Sequence, residues 1–367
     1  MDQRTRAYVA SGAIVGIFVL VQVGALALVE PFQQAGYQAV EDPDDPTNSL
    51  LYVAVILVMT GVMLAVIRFD VDWLLRLLLV GTGAYIGVFV LRVLVPPVVT
   101  VPVGGVAINA LAWGGGIGLG LALWFHPEWY VIDAAGVVMG AGAGALFGIS
   151  FGVLPALILL SVLAVYDAIS VYGTEHMLTL ASGVMKLNVP IVLVVPLSLS
   201  YSYREAGLPG AVSEGDAAGE PGSQATGGPA GESSSGPSTA STSDGAAVAP
   251  DAAANEADAP DLDLDREALF IGLGDAVIPT VLVASVAFFA PDSVPTVDLF
   301  GIPATLPAVT AMAGTIAGLV VLLWMVLKGR AHAGLPLLNG GTIAGYLLGS
   351  LASGLTLAQA TGLAPYL

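Results

Sequence analysis

The stretch that decides the fold reads VLPALILLSVLAVYDAISVYG and occupies residues 153–173. Its apolar run has the length of roughly 20 residues that an α-helix needs to cross a hydrocarbon layer of about 30 Å. One charged side chain, Asp167, interrupts the run. A charge inside a membrane helix costs roughly 2.5–3.5 kcal/mol on insertion scales, so Asp167 marks a functional site by default.

The rest of the chain has the same apolar character. Hydrophobic residues make up 56% of the 367 positions, charged residues 10%, and the mean hydropathy is +0.87. A soluble chain carries about 25% charged residues. The pattern predicts an all-α polytopic membrane protein, and its apolar runs predict about nine transmembrane helices: residues 7–29, 50–67, 73–95, 103–125, 130–149, 153–173, 268–290, 304–327 and 335–356.

The charge distribution and residue usage exclude several classes of function. The net charge is −18, and thirteen of the 28 acidic residues lie between Glu205 and Glu267. Ten Lys and Arg residues form no basic patch, which argues against nucleic-acid binding. The chain has no cysteine and only three histidines, at positions far apart. Because these residues supply most zinc ligands, we expect no metal and no cofactor.

Positive charges predict the orientation in the bilayer. With nine spans and a cytoplasmic N-terminus, nine of the ten basic residues fall on or near the inner side, and only Arg92 lies near the outer side. Lys and Arg are enriched in cytoplasmic loops. We therefore expect a multi-pass protein of the cell membrane, with the N-terminus and the 174–267 insertion in the cytoplasm and the C-terminus outside.

The insertion divides the chain into three parts. Residues 1–173 form a six-helix part that carries Asp167, and residues 268–367 form a three-helix part. Within 174–267, residues 174–204 are expected to be partly structured, and residues 205–265 have the composition of a disordered acidic linker. The run Ile191, Val192, Leu193, Val194 and Val195 is largely β-branched and predicts a strand or a short buried segment.

Glycines recur every four residues in the predicted fifth span, at Gly136, Gly140, Gly144 and Gly148. This spacing lines small residues along one face of the helix, where a neighbouring helix can approach closely. We expect tight helix packing at this face.

A second aspartate, Asp275, lies in the seventh span within FIGLGDA, residues 270–276. Spans six and seven meet the insertion at their cytoplasmic ends, and we expect both aspartates about 9–12 Å below that surface. Two carboxylates at matched depth can share one proton and activate water for hydrolysis. Two carboxylates alone also fit helix–helix hydrogen bonding or proton transfer in a transporter. Other acids, Asp133 among them, lie at predicted span ends, where solvated charge is ordinary.

Three sequence elements together indicate a family. Tyr166-Asp167 and Gly272-Leu273-Gly274-Asp275 resemble the Y-D and G-x-G-D pair of the presenilin and signal peptide peptidase family. Pro336-Leu337-Leu338, near the start of the last predicted helix, resembles the Pro-Ala-Leu motif of that family, with Leu337 in place of the alanine. The resemblance covers the whole chain except residues 205–265.

The resemblance implies an intramembrane aspartyl protease. Asp167 and Asp275 would be the catalytic pair, and the site would be shaped by Tyr166, Gly272, Leu273, Gly274, Pro336, Leu337 and Leu338. The expected partners are the lipid bilayer and transmembrane segments of single-span substrates with an outside N-terminus. Residues 191–195 and 262–269 are expected to pair with an extended substrate as added strands. Two alternatives stay open: a proton-coupled secondary transporter and an inactive scaffold that binds helices.

Overall fold

The computed structural model describes residues 3–69, 72–173, 192–197, 201–202, 268–328 and 333–364. All of them fall within one compact unit. Nine helices of 16 or more residues dominate these ranges: α1 Gln3–Gln34, α2 Thr47–Arg68, α3 Asp72–Leu94, α4 Ala110–Phe125, α5 Trp129–Ser150, α6 Val153–Gly173, α7 Leu273–Phe289, α8 Leu306–Leu327 and α9 Gly334–Ala352. A single turn, α10, follows at Leu357–Ala360.

Three antiparallel pairs of short strands accompany the helices. They are β1 Thr100–Val103 with β2 Val106–Asn109, β3 Val192–Pro196 with β4 Ala268–Gly272, and β5 Thr296–Leu299 with β6 Ile302–Thr305. The prediction of an all-α polytopic membrane fold is confirmed. Helices α1, α3, α5, α6 and α8 are long and apolar enough to cross a bilayer, and shorter apolar helices lie in α2, α4 and α7. The number of crossings, nine, stays a prediction.

The hairpins shorten two of the predicted spans. The span predicted at 103–125 begins at Ala110, because residues 100–109 form β1 and β2; the span predicted at 304–327 begins at Leu306, after β5 and β6. Gly104 and Gly105 have φ of 58° and 85°, and Phe300 and Gly301 have 56° and 84°. Two successive positive φ angles make the tight turn that matches the twist of a hairpin. The start predicted at residue 103 was therefore wrong, whereas the start predicted at residue 304 differs by two residues from the observed one.

The glycine face of α5 confirms the predicted tight packing. A Cβ added to Gly140 would lie 3.2 Å from Val21 of α1, and one added to Gly144 would lie 2.6 Å from Thr280 of α7. A Cβ added to Gly148 would collide with Ala284, one turn further along α7. Contacts this short leave no room for a side chain, so the glycines let α1 and α7 pack directly on the α5 backbone.

Glycines also bring α8 and α9 into backbone contact. A Cβ on Gly341 would collide with the carbonyl oxygen of Gly314, and one on Gly318 would collide with the carbonyl oxygen of Leu337. Thr315 and Thr342, both fully buried, hydrogen-bond to each other across this interface at 2.7 Å. The close packing and the buried hydrogen bond fix the position of α9 along α8.

The pair β3–β4 lies among the helices. Val192 pairs with Gly272 and Pro196 with Ala268, so β4 leads directly into α7. Leu193 and Val195 pack with side chains of α1 and α8, whereas Val194 packs with Ile132 and Ala135 of α5. This alternation is expected of a strand with both faces covered. The strand prediction for residues 191–195 is confirmed from Val192 onward, and Ile191 lies outside the described residues.

Candidate active site

Asp167 lies near the end of α6, six residues before the helix ends at Gly173. Its side chain is 9% exposed. Oδ2 accepts a hydrogen bond of 3.0 Å from the backbone N–H of Leu335, the second residue of α9. A carboxylate buried among helices needs such a donor, because burial without a partner costs several kcal/mol.

Asp275 lies at the start of α7, as the third residue of that helix. We predicted a helical span from residue 268, and that start was wrong because residues 268–272 are extended and pair with β3. The predicted depth of Asp275 below the cytoplasmic surface stays a prediction. The carboxyl group is partly buried. Asp167 and Asp275 both lie against the start of α9, Asp167 at Leu335 and Asp275 at Gly334. That the two carboxyl groups face each other stays a prediction.

Two glycines lie directly beside the Asp275 carboxyl group. A Cβ added to Gly272 would lie 3.3 Å from Oδ2 of Asp275, and one added to Gly334 would lie 3.6 Å from the same oxygen. Gly272 precedes α7, and Gly334 is the first residue of α9. Both glycines therefore keep the space around this carboxyl group free of side chains.

The first turn of α9 contacts both carboxyl groups. Leu335 donates its N–H to Asp167, and Gly334 lies against Asp275. The first N–H groups of a helix have no partner within it, and its N-terminus carries a partial positive charge. Asp275 also occupies the first turn of α7. The pair thus lies between two helix N-termini, which favour negative charge.

Three other predicted site residues, Pro336, Leu337 and Leu338, lie among the first five residues of α9. Pro336 lies in the first turn of α9, where a missing N–H costs no helical hydrogen bond. Leu338 is fully buried and packs with Ala276, the residue after Asp275, and Leu337 is partly buried in the same cluster.

Tyr166, Leu273 and Gly274 face other surroundings. Leu273 packs against Gly136 and Gly140 of α5, and Gly274 is exposed. Tyr166 is 44% exposed, unlike the buried Asp167 beside it. Their predicted site-shaping roles stay predictions.

Two polar residues near the site were not recognised from the sequence. Asp133 lies in the second turn of α5 and accepts the N–H of Val194 at 2.8 Å. Reading it as an ordinary solvated acid at a span end was therefore wrong. Asn339 is fully buried and donates to the carbonyl oxygen of Leu160, on α6, at 3.0 Å. The signal that could have indicated Asn339 is its position four residues after Leu335, which places both residues on the same face of α9.

The arrangement suits acid–base hydrolysis of an amide. Two close carboxyl groups in a site of low polarity cannot both ionise, so they hold one proton between them. Such a pair can withdraw a proton from water and supply one to a carbonyl oxygen in the same step. The chemistry needs neither a metal nor a covalent intermediate.

Comparison with known proteins identifies the fold and the chemistry. The family model described as signal-peptide peptidase, presenilin aspartyl protease matches residues 15–355, a range that contains both aspartates and all of α9. The chain belongs to this family.

Solved structures agree with the family match. Two crystal forms of a presenilin family intramembrane aspartate protease, in space groups C222 and P2, are each 28% identical to this chain and cover 93% of it. The chain covers 99% and 97% of those structures, with TM-scores of 0.56 and 0.54. A search of curated proteins gives no significant match.

These findings confirm the predicted activity. The protein is an intramembrane aspartyl protease of the presenilin and signal peptide peptidase family, and a multi-pass membrane protein. The transporter interpretation is not supported. Proteases of this family cleave transmembrane substrates within the membrane.

Proposed function

We propose that Asp167 and Asp275 are the catalytic pair of this intramembrane protease. One observation carries the assignment: the two carboxyl groups come from different helices and converge at the first turn of α9, where Leu335 donates to Asp167 and Gly334 lies against Asp275. Asp133, in comparison, is engaged by the main chain of β3. Asp167 and Asp275 are therefore the acids that we assign to the reaction.

The proposed reaction uses one shared proton. The ionised carboxylate removes a proton from a water molecule, whose oxygen attacks the carbonyl carbon of the scissile peptide bond. The protonated carboxyl group donates its proton to the carbonyl oxygen, which gives a neutral tetrahedral diol. As the diol collapses, the ionised carboxylate removes a proton from one hydroxyl group, the C–N bond breaks, and the protonated carboxyl group gives its proton to the leaving amine. The pair then again holds one proton, so the cycle closes.

A substrate helix must open before this reaction, because its own hydrogen bonds cover the amide groups. We propose that the opened substrate segment adds a strand to β3–β4, as residues 191–195 and 262–269 led us to expect. Residues 262–267 lie outside the described residues. Strands β3 and β4 themselves therefore carry this proposal.

Hydrogen-bond directions favour β4 as the strand that meets the substrate. The N–H of Val194 donates to Asp133 of α5, so it points away from β4. In an antiparallel pair of strands, two residues directly opposite each other either both point their N–H and C=O groups towards the partner strand or both point them away from it. Phe270, opposite Val194, therefore directs both groups to the outer edge of β4. In this proposal β3 supports the sheet, and β4 offers its outer edge at Phe270, two residue pairs before Gly272.

A proline scan tests this edge. Phe270→Pro removes an N–H that points outward and leaves the β3–β4 hydrogen bonds intact, so we expect a folded protein that cleaves at least tenfold more slowly. Leu269→Pro is the matched control, because its N–H points towards β3 and its loss weakens the sheet itself. Equal cleavage by Phe270→Pro and the unchanged protein would exclude pairing at β4.

The domain arrangement and orientation belong to the same proposal. We infer that residues 1–173 bring Asp167, residues 268–367 bring Asp275 and the Pro336-Leu337-Leu338 motif, and the insertion 174–267 joins them in the cytoplasm. The basic residues support a cytoplasmic N-terminus and an outer C-terminus. Substrates are then single-span segments whose N-terminus faces outside.

The decisive experiment measures peptide-bond cleavage of a single-span reporter by the purified protein. Asp167→Asn and Asp275→Asn keep the side-chain size but cannot share the proton, so we expect binding without cleavage. A peptide mimic with a hydroxyl group in place of the scissile carbonyl should compete with the reporter in the unchanged protein. Cleavage by either variant at the normal rate would refute the assignment, and absence of cleavage by the unchanged protein would favour an inactive scaffold.

A further inference from the structure

An acidic side chain of α5 holds the outer edge of β3. Asp133, the fifth residue of α5, accepts the N–H of Val194 at 2.8 Å. It is partly buried, and the side chain of Val194 is 1% exposed. Within the described ranges, this is the hydrogen bond that joins α5 to the main chain of β3.

The N–H of Val194 needs a side-chain acceptor at this place. It points away from β4, and a buried N–H without a partner costs about 1–3 kcal/mol. The carbonyl groups in the interior of a helix already accept the helical hydrogen bonds, so α5 can offer an acceptor only from a side chain. Asp133 supplies that acceptor.

A glycine allows α5 to come close enough. Gly136 follows Asp133 by three residues and lies on the same helix face. A Cβ at Gly136 would lie 2.6 Å from Cδ2 of Leu193, the residue before Val194. Asp133 and Gly136 together therefore seat β3 on α5, the first by a hydrogen bond and the second by close packing.

The position of β3 bears directly on the aspartate pair. Val192 pairs with Gly272, which precedes the first residue of α7, and Asp275 follows three residues later. The same pairing fixes where Phe270 presents its outer edge. A shift of β3 along its own axis therefore moves both the edge offered to a substrate and the start of the helix that carries Asp275.

We propose that Asp133 is a positioning residue for the proteolysis, one that sets which peptide bond of the substrate reaches the aspartate pair. This inference rests on the proposed function of Asp167 and Asp275. Asp133 does not touch the reacting atoms. It fixes the register of β3–β4 relative to α5, and the sheet in turn fixes the register of the bound strand.

The test compares three substitutions of Asp133 on one single-span reporter, with the products identified by mass spectrometry. Asp133→Asn keeps an oxygen in the same place, so we expect kcat/KM within about threefold of the unchanged protein and the same scission site. Asp133→Ala removes the acceptor. Loss of a hydrogen bond to a charged group corresponds to roughly a 10- to 100-fold loss of kcat/KM, and we expect cleavage at additional bonds.

Asp133→Glu separates register from stability. It keeps the carboxylate but displaces it by one methylene group, so we expect a folded protein whose main scission site moves. If Asp133→Ala does not fold, Asp133→Glu still tests the positioning role of Asp133. Asp292→Ala, in the exposed turn after α7, is the control for loss of an acidic residue and should leave rate and site unchanged.

The outcomes separate this inference from the proposed function. Normal rates and a single unchanged scission site in Asp133→Ala and Asp133→Glu would overturn the positioning role. Equal damage in Asp133→Asn and Asp133→Ala would overturn it as well, because charge and not the hydrogen bond would then matter. Normal cleavage by Asp167→Asn in the same assay would refute the catalytic assignment, whatever the Asp133 variants do.

Discussion

The hydrogen bond from Leu335 to Asp167 can be removed without touching either aspartate. Leu335→Pro deletes the backbone N–H that donates to Oδ2 at 3.0 Å. Because Leu335 is the second residue of α9, its N–H has no partner within the helix, and proline fits the first helical turn. The residue that then precedes the new proline is Gly334, which tolerates the backbone restriction. The substitution is therefore as local as the chain allows.

The expected loss follows from the kind of hydrogen bond removed. A hydrogen bond to a charged group contributes about 1.5–3 kcal/mol. If this hydrogen bond holds the Asp167 carboxyl group in the orientation that the transition state requires, its loss raises the barrier by up to that amount, which corresponds to a kcat lower by up to roughly 150-fold. Binding of the reporter should change little, because Leu335 contacts Asp167 through its main chain.

Leu335→Ala is the matched control, because it trims the side chain and keeps the N–H. The Leu335 side chain packs, partly buried, on the hydrophobic cluster around Leu160, so the alanine variant should lose stability by about 1–3 kcal/mol and keep its kcat. The assay is cleavage of a saturating single-span reporter, beside thermal unfolding of both variants in detergent. Equal kcat values for folded Leu335→Pro and Leu335→Ala would refute a role for this hydrogen bond.

Three further predictions concern packing, buried polar groups and the linker. Gly148→Ala should lower the free energy of unfolding by about 1–3 kcal/mol because its Cβ would collide with Ala284, whereas Gly118→Ala, with no atom within 4 Å, should be neutral or stabilising in the same thermal assay. Gln22 is fully buried, and neither polar atom of its side chain has a partner among the described residues, so Gln22→Leu should raise the free energy of unfolding by about 1–3 kcal/mol; a lower melting temperature would contradict this. Deletion of residues 210–258, which lie outside the described residues, should leave cleavage of the reporter within about threefold of normal, and loss of activity in a folded deletion protein would assign the linker a role.

The sequence predicted the helices and singled out the two aspartates for one physical reason. An ionisable residue inside an apolar run is expensive, so Asp167 and Asp275 stand out without any structure. The β-branched run at 192–195 was recognised because it is flanked by prolines and too short for a span. Each of these signals is local in the chain.

Two kinds of feature were not predicted from the sequence: short hairpins next to helices, and a contact between distant segments. The strands β1, β2 and β6 are largely apolar and adjoin apolar helices, so hydrophobicity alone does not separate strand from helix. The positive φ of Phe300 was also unexpected, because a bulky residue rarely adopts it. Asp133 looked like a solvated acid, since nothing in its neighbourhood in sequence indicates that Val194, 61 residues away, donates to it.

The leucine in place of the family alanine can now be judged from the geometry of α9. The contacts with the aspartate pair come from the main chain of Leu335 and from Gly334, and neither involves the side chain at position 337. Leu337 instead turns its carbonyl oxygen to Gly318 of α8, where the missing side chain admits the α9 backbone. Its side chain joins the cluster that includes Leu338. The side chain at position 337 therefore takes part in packing, and the hydrogen bond between Leu335 and Asp167 does not involve it.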